Sequence, residues 1–269
     1  MTKQQTDISN QKTLLLTGGS SGIGMATADY FAQRGWTVYE MSRHGADRPG
    51  VVHLTGDVTI PEDCHRVVNE VIRLSGHIDV LISNAGMGIA GAAEFAPVAD
   101  VHRQIEVNFY GASNIIQATI PYMRRRQYGR ILIVSSLAAT FSIPFQAYYS
   151  ASKAALNALA MSLRNELAPH NIGVACLMPG DVHTAFTSSR LKTAAGADVY
   201  PRMQSSLATM ERDEQQGQSA QGIAQRLYGM ATTHWLRAYY YVGPVYHIFA
   251  LLSKLLPASL IYSIVRRMY

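Results

Sequence analysis

A glycine-rich turn near the start of the chain restricts the fold more than any other stretch. Residues 14–16 form a short apolar run, residues 17–24 carry the glycines, and a helical pattern follows to Arg34. Glycines there let the backbone bend sharply and approach a bound group, and the start of a helix favours negative charge. The spacing is Gly-x-x-x-Gly-x-Gly, which differs from the commoner Gly-x-Gly-x-x-Gly. Between a strand and a helix it predicts a pyrophosphate site, with a merely tight loop as the alternative.

Short apolar segments alternate with helical patterns along most of the chain. Strands are predicted at residues 14–16, 37–41, 51–54, 78–83, 130–135 and 173–178, and further helices at residues 61–75, 99–126 and 147–168. Strands that alternate with helices form βαβ units, in which helices cover both faces of a parallel sheet. We therefore predict an α/β fold with a doubly wound Rossmann-type parallel sheet, as a single domain over residues 1–269.

Composition excludes several classes of protein. Of the 269 residues 48% are hydrophobic and 15% charged, which predicts a large core and not a disordered chain. The net charge of +5 comes from scattered basic residues without interleaved aromatics, so nucleic-acid binding is not supported. Cys64 and Cys176 show no metal-ligand spacing, and unpaired cysteines favour a reducing, cytoplasmic compartment. Residues 1–12 lack an apolar signal region, and no apolar run reaches the ~18 residues of a membrane span.

Tyr149 and Lys153 stand four residues apart in a helical pattern, so we expect them on one face, one turn apart. An ammonium beside a phenol favours the phenolate and lowers its pKa from about 10. Tyr149 is then a candidate for general acid–base catalysis near neutral pH. The pair alone is weak evidence, because surface helices carry such pairs by chance.

Several motifs occur in the order that one known family shows. The turn reads Thr-Gly-x-x-x-Gly-Ile-Gly, Asn84-Ala85-Gly86 follows the fourth predicted strand, and Ser136 precedes Tyr149. Over about residues 12–184 the chain resembles a classical short-chain dehydrogenase/reductase, and residues 180–186 are similar to the corresponding stretch of 17β-hydroxysteroid dehydrogenases. The resemblance implies the Rossmann-type fold, a nicotinamide cofactor and a homodimer or homotetramer. The positions that match the family's cofactor-binding residues are Gly18, Ser20, Ser21, Gly22, Ile23, Gly24, Asp57, Val58, Asn84, Ala85, Gly86, Tyr149, Lys153, Pro179, Gly180, Val182 and Thr184.

The choice between NAD(H) and NADP(H) depends on the end of the second predicted strand. In dinucleotide-binding folds an acid there binds the ribose 2′-hydroxyl, whereas an arginine accommodates a 2′-phosphate. By the family's register Ser42 occupies the position of the acid and Arg43 follows it, which favours NADP(H). The alternatives are a surface role for Arg43, or Glu40 as the ribose acid in a shifted register.

The resemblance also implies catalytic roles for Asn108, Ser136, Tyr149 and Lys153. Hydride would pass between C4 of the nicotinamide and a carbonyl or secondary-alcohol carbon, while Tyr149 gives or takes the proton. Ser136 would donate a hydrogen bond to the substrate oxygen, where charge develops in the transition state. Lys153 would lower the pKa of Tyr149 and hold the nicotinamide ribose, and Asn108 would position a water on the proton path.

The predicted substrate wall is mostly apolar or aromatic. Its residues are Leu137, Phe141, Gln146, Met178, His183 and Phe186, with Met87 and residues 181–217 as a lid. These residues favour a lipophilic steroid, retinoid or acyl-lipid carbonyl, although several are equally well explained as core. One alternative is a 3-oxoacyl reductase, which the lack of the family's usual strand and Asp-Gly-Gly turn near residues 239–244 disfavours. The other is a protein that senses NADP(H) without catalysis.

Residues 244–269 are predicted to form a helical tail with apolar faces. Apolar residues recur at helical spacing on both sides of Pro257, which should break the helix: Val245, Ile248, Phe249, Leu252, Leu255 and Leu256 before it, and Leu260, Ile261, Ile264, Val265 and Met268 after it. The faces could pack on their own domain or a second subunit, or close over the substrate pocket. They could also lie on a membrane, with Lys254, Arg266 and Arg267 toward anionic lipid. The sequence leaves all three open.

Overall fold

The computed structural model describes residues 11–268, apart from the side chains at positions 244, 245, 247, 251, 253 and 254. The predictions for the first ten residues, for the side chains of Val245 and Lys254, and for Tyr269 therefore lie outside the described residues.

A sheet of seven parallel strands forms the centre of the described chain. The strands are β1 Thr13–Thr17, β2 Thr37–Ser42, β3 Val51–Thr55, β4 Val80–Ser83, β5 Gly129–Val134, β6 Ile172–Met178 and β7 Tyr239–Tyr241. Their order across the sheet is β7-β6-β5-β4-β1-β2-β3. The order reverses between β1 and β4, and in such sheets ligands bind in the crevice at that point, beyond the carboxyl ends of the strands.

Helices cover both faces of this sheet, which confirms the predicted doubly wound fold. They are α1 Gly22–Ala32, α2 Pro61–Ser75, α3 Val98–Ile105, α4 Gly111–Arg126, α5 Ala147–Leu167, α6 Phe186–Ser189, α7 Met203–Gln215, α8 Ala220–Thr232, α9 Pro244–Leu255 and α10 Ala258–Met268. Leu14 and Leu16 of β1 pack with α1 and α8, whereas Leu15 between them packs with α2, α4 and α5. A strand buried on both faces needs apolar residues at every position, which explains the apolar run in β1.

Three parts of the chain differ from the prediction. The single helix predicted at residues 99–126 is interrupted by a π-helical turn, Glu106–Tyr110, which separates α3 from α4. Helix α8 and strand β7 were not predicted, since β7 has only three residues, too few to show a periodic pattern. The family's last strand is therefore present here, built from three tyrosines and without the Asp-Gly-Gly turn. Pro257 does separate two helices, as the tail pattern predicts.

Two glycines of similar helical setting should respond oppositely to a methyl group. A side-chain carbon on Gly24 in α1 would lie 2.0 Å from the Gly18 carbonyl oxygen, whereas one on Gly229 in α8 would meet nothing within 4 Å. We expect Gly24→Ala to lower the free energy of unfolding by roughly 1–3 kcal/mol through overpacking. Gly229→Ala should raise it by up to about 1 kcal/mol, because alanine loses less backbone entropy in a helix. Urea unfolding of both variants measures the two changes, and a Gly24→Ala protein as stable as wild type would contradict the close approach.

Candidate active site

Hydrogen bonds hold the turn after β1 against the end of β4. The Thr17 hydroxyl accepts from the N–H groups of Asn84 (3.0 Å) and Ala85 (3.1 Å). In return the Asn84 side-chain amide donates to the carbonyls of Thr17 (3.0 Å) and Gly18 (3.2 Å). The start of α1 and the end of β4 are therefore fixed relative to each other.

Two glycines of this turn adopt a left-handed backbone conformation. Gly18 has a φ of 70° and Gly22 a φ of 53°, in the left-handed region that glycine adopts without strain. Gly22 is also the first residue of α1, and the first N–H groups of a helix have no partner within it. Such donors, at the positive end of the helix dipole, bind phosphate oxygens.

One cavity of about 620 Å³ joins this turn to the predicted catalytic residues. It is lined by Ser136, Tyr149 and Lys153, and by every predicted cofactor-binding residue except Gly24. Gly24 and Asn108 lie behind the wall and support it. The turn, the residues after β2 and those after β4 border the same space, so the residues present fit an extended dinucleotide with its pyrophosphate at the turn.

The end of β2 distinguishes the two candidates for the ribose site. Ser42 and the exposed Arg43 line the cavity. Glu40 is fully buried beneath Gly19, and its Oε1 lies 2.5 Å from His53 Nδ1. Because Glu40 is held inside the fold and does not line the cavity, the geometry favours the register that puts Ser42 and Arg43 at the ribose.

Ser136 and Tyr149 meet at the cavity wall. Ser136 follows β5 and caps the short 3₁₀ helix Leu137–Ala139, where its hydroxyl accepts from the Ala138 N–H at 3.1 Å. Tyr149 lies in the first turn of α5 and lines the same cavity as Ser136, which is close enough to lower the pKa of the phenol. Two groups able to donate to one oxygen atom therefore stand side by side.

The pKa of Tyr149 is raised above its ordinary value of 10, chiefly by burial. The Ser136 hydroxyl and the nearby Arg190 guanidinium oppose that rise. The net shift is therefore opposite in direction to the lowered pKa that the sequence predicts, because desolvation of the phenolate outweighs the favourable charges. Lys153 Nζ donates to the Val134 carbonyl at 2.9 Å and lies 5.9 Å from the centre of the Tyr149 ring.

Lys153 is itself an unusual ammonium. Lys153 is only 4% exposed, and burial lowers the pKa of its ammonium group to about 8. It therefore still carries its charge at neutral pH, inside the wall of the cavity, where charge acts more strongly than in water.

Asn108 lies in the π-helical turn and joins three segments. Its Oδ1 accepts from the Met87 N–H (2.8 Å), and its Nδ2 donates to the Met87 carbonyl (2.9 Å) and to the Ser152 hydroxyl (3.0 Å). Since Met87 follows Gly86 and Ser152 precedes Lys153, Asn108 fixes the loop after β4 against helix α5. Its role in positioning a water stays a prediction.

The predicted substrate residues divide into two groups. Leu137, Phe141, Gln146 and Phe186 line the cavity, as does Met87 of the predicted lid. His183 and Met178 do not line it, so the prediction for these two is wrong. His183 is exposed on a two-residue strand that pairs with Gln218–Ser219, and Met178 points into the sheet core.

Three lining residues of the predicted lid were not singled out in the sequence, because they lie in a stretch with weak periodicity. Arg190, Met210 and Glu214 come from α7 and the segment before it, and Arg190 is paired with Glu214 inside the wall. An arginine and a glutamate in a polar stretch are normally expected at the protein surface. The sequence therefore did not indicate that these two residues line a cavity.

The tail packs on its own chain and closes one side of the cavity. Phe249 and Val265 join Leu137 and Phe141 in a small apolar cluster, with the rings of Phe141 and Phe249 6.1 Å apart. The Tyr246 hydroxyl donates to Asp181 Oδ2 at 2.6 Å. Of the predicted alternatives, packing on its own domain and closure over the pocket are thus one and the same arrangement.

Among the residues that the structure describes, no helix combines the length and apolarity needed to cross a bilayer. Within the same part of the chain, no group of three or more His, Cys, Asp or Glu residues is arranged to hold a metal ion.

Comparison with known proteins agrees with this geometry. The short-chain dehydrogenase family model matches residues 12–195. A 3-ketodihydrosphingosine reductase of Bacteroides thetaiotaomicron is 38% identical over 208 residues, which cover 76% of this chain and 77% of that protein. An 11-beta-hydroxysteroid dehydrogenase-like protein of Arabidopsis thaliana is 36% identical over 203 residues, 70% of this chain and 64% of that protein. A short-chain dehydrogenase from Streptomyces avermitilis, solved as a crystal structure, gives a TM-score of 0.77 at 26% identity and covers 91% of this chain and 95% of that one.

The matched segment contains the glycine turn, Asn84-Ala85-Gly86, Ser136, Tyr149 and Lys153, all of them on or beside the cavity. The chain therefore belongs to the classical short-chain dehydrogenase/reductase family, and its general chemistry is that of an oxidoreductase acting on CH–OH groups.

Proposed function

We propose that the protein is an NADP(H)-dependent oxidoreductase that interconverts a lipophilic ketone and its secondary alcohol. The observation that carries this is the placement of Ser136, Tyr149 and Lys153 on the wall of the cavity that also borders the glycine turn of residues 17–24, here called the phosphate turn. The described chain, with residues 181–217 as lid and 244–268 as tail, acts as one domain around that cavity.

The chemistry follows from what stands at the wall. When bound, the nicotinamide supplies or accepts the hydride. In reduction Tyr149 donates its phenolic proton to the carbonyl oxygen, and the raised pKa keeps that proton in place until it is needed. The Ser136 hydroxyl donates a hydrogen bond to the same oxygen as negative charge develops there. Lys153 places a positive charge within 6 Å of the phenol ring and so favours the phenolate left behind.

NADP(H) is the proposed cofactor because of Arg43. Arg43 is exposed at the cavity edge next to Ser42, while the acid Glu40 is fully buried behind Ser42, accepts from its hydroxyl at 3.3 Å and does not line the cavity. A guanidinium binds a phosphate with charge-assisted, bidentate hydrogen bonds. Arg43 and Ser42 are therefore assigned to the 2′-phosphate.

A lipophilic substrate is supported by the cavity wall that the tail supplies. Phe249, Leu256 and Ile261 line it from the tail side, opposite Phe186. Steroid, retinoid and acyl-lipid ketones all have the apolar area to fill such a wall. The relatives named for a ketodihydrosphingosine and for hydroxysteroids support a long or polycyclic apolar body. A 3-oxoacyl reductase remains the alternative enzyme.

We further propose that the tail rests on a membrane of anionic lipid. On the side away from the core it exposes the apolar residues Ile248, Leu252, Leu255, Leu260, Tyr262, Ile264 and Met268. Leu252, Ile264 and Met268 also line the cavity, so the exposed face and the substrate site are continuous. The exposed Arg266 and Arg267 lie beside this face and would meet lipid phosphates. A cytoplasmic location and assembly as a homodimer or homotetramer stay predictions from the sequence and the family.

Tyr149→Phe tests the catalytic assignment. We expect it to bind NADPH with unchanged affinity and to lower kcat for ketone reduction by at least ~10²-fold, the usual contribution of a positioned acid. Tyr148→Phe, the neighbouring residue, is the control and should keep kcat within about threefold. Stopped-flow NADPH oxidation and a fluorescence titration measure the two quantities. Normal turnover in Tyr149→Phe would refute the assignment, and tight NADPH binding by wild type with no turnover of any ketone would favour the sensor.

Arg43→Ala tests the cofactor assignment. Loss of charge-assisted hydrogen bonds to a phosphate should weaken NADPH binding by about 10- to 100-fold and leave NADH binding nearly unchanged. Arg73→Ala removes the same charge from an exposed pair with Glu70 and serves as the control. Fluorescence titration with each cofactor gives both dissociation constants. Tighter binding of NADH than NADPH by the wild-type protein would overturn the assignment.

The double variant Ile248→Glu/Leu255→Glu tests whether the exposed apolar face of the tail binds a membrane. Neither residue lines the cavity, so reduction of a short, water-soluble ketone should persist, while binding to phosphatidylglycerol vesicles should fall about tenfold or more. Trp235→Glu alters an apolar residue that is 81% exposed elsewhere and should not change binding. Co-sedimentation measures the bound fraction. If the double variant binds vesicles normally but changes from dimer to monomer on a sizing column, a second copy covers this face and the membrane proposal fails.

A further inference from the structure

The two walls of the substrate end of the cavity differ in chemistry. On the tail side the lining is hydrocarbon, from residues such as Leu252, Leu256 and Val265. On the lid side the lining includes Arg190, Glu214 and Gln146. A uniformly apolar substrate would match the first wall but would offer no polar group to Arg190, Glu214 and Gln146 on the second.

Arg190 and Glu214 form an ion pair inside the lid-side wall. The side chains are 2% and 14% exposed, and the Arg190 guanidinium donates to Glu214 Oε1. The other carboxylate oxygen accepts from the Thr187 hydroxyl at 2.6 Å. A second guanidinium nitrogen meets the thioether of Met210 at 3.6 Å, a weak acceptor. Among the described contacts of Arg190, the carboxylate of Glu214 is thus the oxygen acceptor. The guanidinium has N–H groups left to donate to a second oxygen acceptor.

The pair stands next to the catalytic phenol. Arg190 lies over the Phe186 ring at 5.5 Å, and Phe186 contacts Tyr149 with ring centres 5.8 Å apart. Both charges act on Tyr149, the guanidinium lowering its pKa and the carboxylate raising it. Arg190 and Tyr149 therefore both contact Phe186 and both line the cavity, so one bound molecule can meet the pair and present a carbonyl to Tyr149.

Stabilisation of the fold alone does not explain why the Arg190–Glu214 ion pair is buried at this position. Taking two charges out of water costs several kcal/mol per ion, and apolar residues of similar size often serve a fold equally well. The same two segments are already joined at the surface by Lys192 and Glu211, 2.6 Å apart and 45% and 27% exposed. A link between the segments is thus available without burying charge.

We propose that Arg190 and Glu214 bind the polar head of an amphiphilic ketone, whose carbonyl lies between that head and a long apolar chain along the tail. The guanidinium donates to a hydroxyl of the head, and the carboxylate accepts from a hydroxyl or ammonium group. This inference rests on the proposed ketone reduction and narrows its substrate to one chemical class. Sterols, whose polar groups lie at opposite ends of the ring system, and retinoids, which have no second polar group beside the carbonyl, are disfavoured.

A matched pair of ketones tests the proposal. One is 3-ketodihydrosphingosine, which carries amino and hydroxyl groups beside its carbonyl; the other is octadecan-3-one, which has the same chain and carbonyl without them. Both are presented in the same mixed micelles with NADPH, and again with NADH. The readout is the ratio of kcat/KM for the two ketones within each protein, because that ratio does not depend on the fraction of folded enzyme.

We expect the wild-type ratio to favour the head-bearing ketone by about 10- to 100-fold, the range for hydrogen bonds to charged groups. Arg190→Met and Glu214→Gln should each reduce the ratio to within about threefold of one, and Arg190→Lys should keep part of it. Lys192→Met and Glu211→Gln, which remove the exposed pair between the same segments, should leave it unchanged. If Arg190→Met is insoluble, Glu214→Gln gives the same comparison.

The outcomes separate the two proposals. Wild-type protein that reduces both ketones equally, or a ratio that survives Arg190→Met and Glu214→Gln, overturns the head-group site and leaves ketone reduction standing. A ratio lost equally in the Lys192 and Glu211 variants also overturns it, because any link between the segments would then serve. If the wild-type protein reduces neither ketone but does reduce other carbonyl compounds, the proposed substrate class is wrong. If it reduces no carbonyl compound at all, the proposed function itself is wrong.

Discussion

The hydrogen bonds between Thr17 and Asn84 are the connection on which the site depends. They join β1 to β4 where the strand order reverses, so that the phosphate turn and the loop after β4 cannot move independently. From Asn84 the chain runs through Gly86 to Met87. The Asn108 side chain forms hydrogen bonds with both the N–H and the carbonyl of Met87. A set of buried polar contacts of about 1 kcal/mol each thus extends from the turn to the catalytic helix.

The π-helical turn explains how Asn108 reaches that position. Asn108 lies in the widened turn, a feature often found at functional sites, and its amide reaches across to Met87 and Ser152. Ser152 is the residue before Lys153, and Lys153 in turn donates to Val134 at the end of β5. The buried ammonium is thereby held by the backbone and not by a carboxylate, which leaves its charge available at the cavity.

The sequence predicted the parts of this arrangement that local pattern governs. Alternating apolar segments specify the sheet, and the glycine turn with the Tyr149–Lys153 spacing specifies where the site lies on it. The break at Asn108 was not predictable, because a π turn has the same composition as the helix around it. The direction of the Tyr149 pKa shift was wrong for a related reason: spacing reports that a charge is near, but the cost of burying a phenolate depends on packing that only the folded structure reveals. Arg190 and Glu214 were missed because nothing in a polar stretch distinguishes a buried ion pair from a solvated one.

The tail is part of the site because it touches the cofactor side of the cavity as well as the substrate side. Tyr246 lies so close to Gly180 that a side-chain carbon there would be 2.3 Å from its ring, although Gly180 does not have a positive φ. The glycine is therefore required by the tail at least as much as by its own turn. Burial raises the pKa of Asp181, and burial together with the bond to Asp181 raises that of Tyr246 to about 12, so the phenol keeps its proton and donates a hydrogen bond to the carboxylate. Since Pro179 and Gly180 line the cavity next to Asp181, the contacts of Tyr246 with Gly180 and Asp181 make the tail a direct support of the wall there.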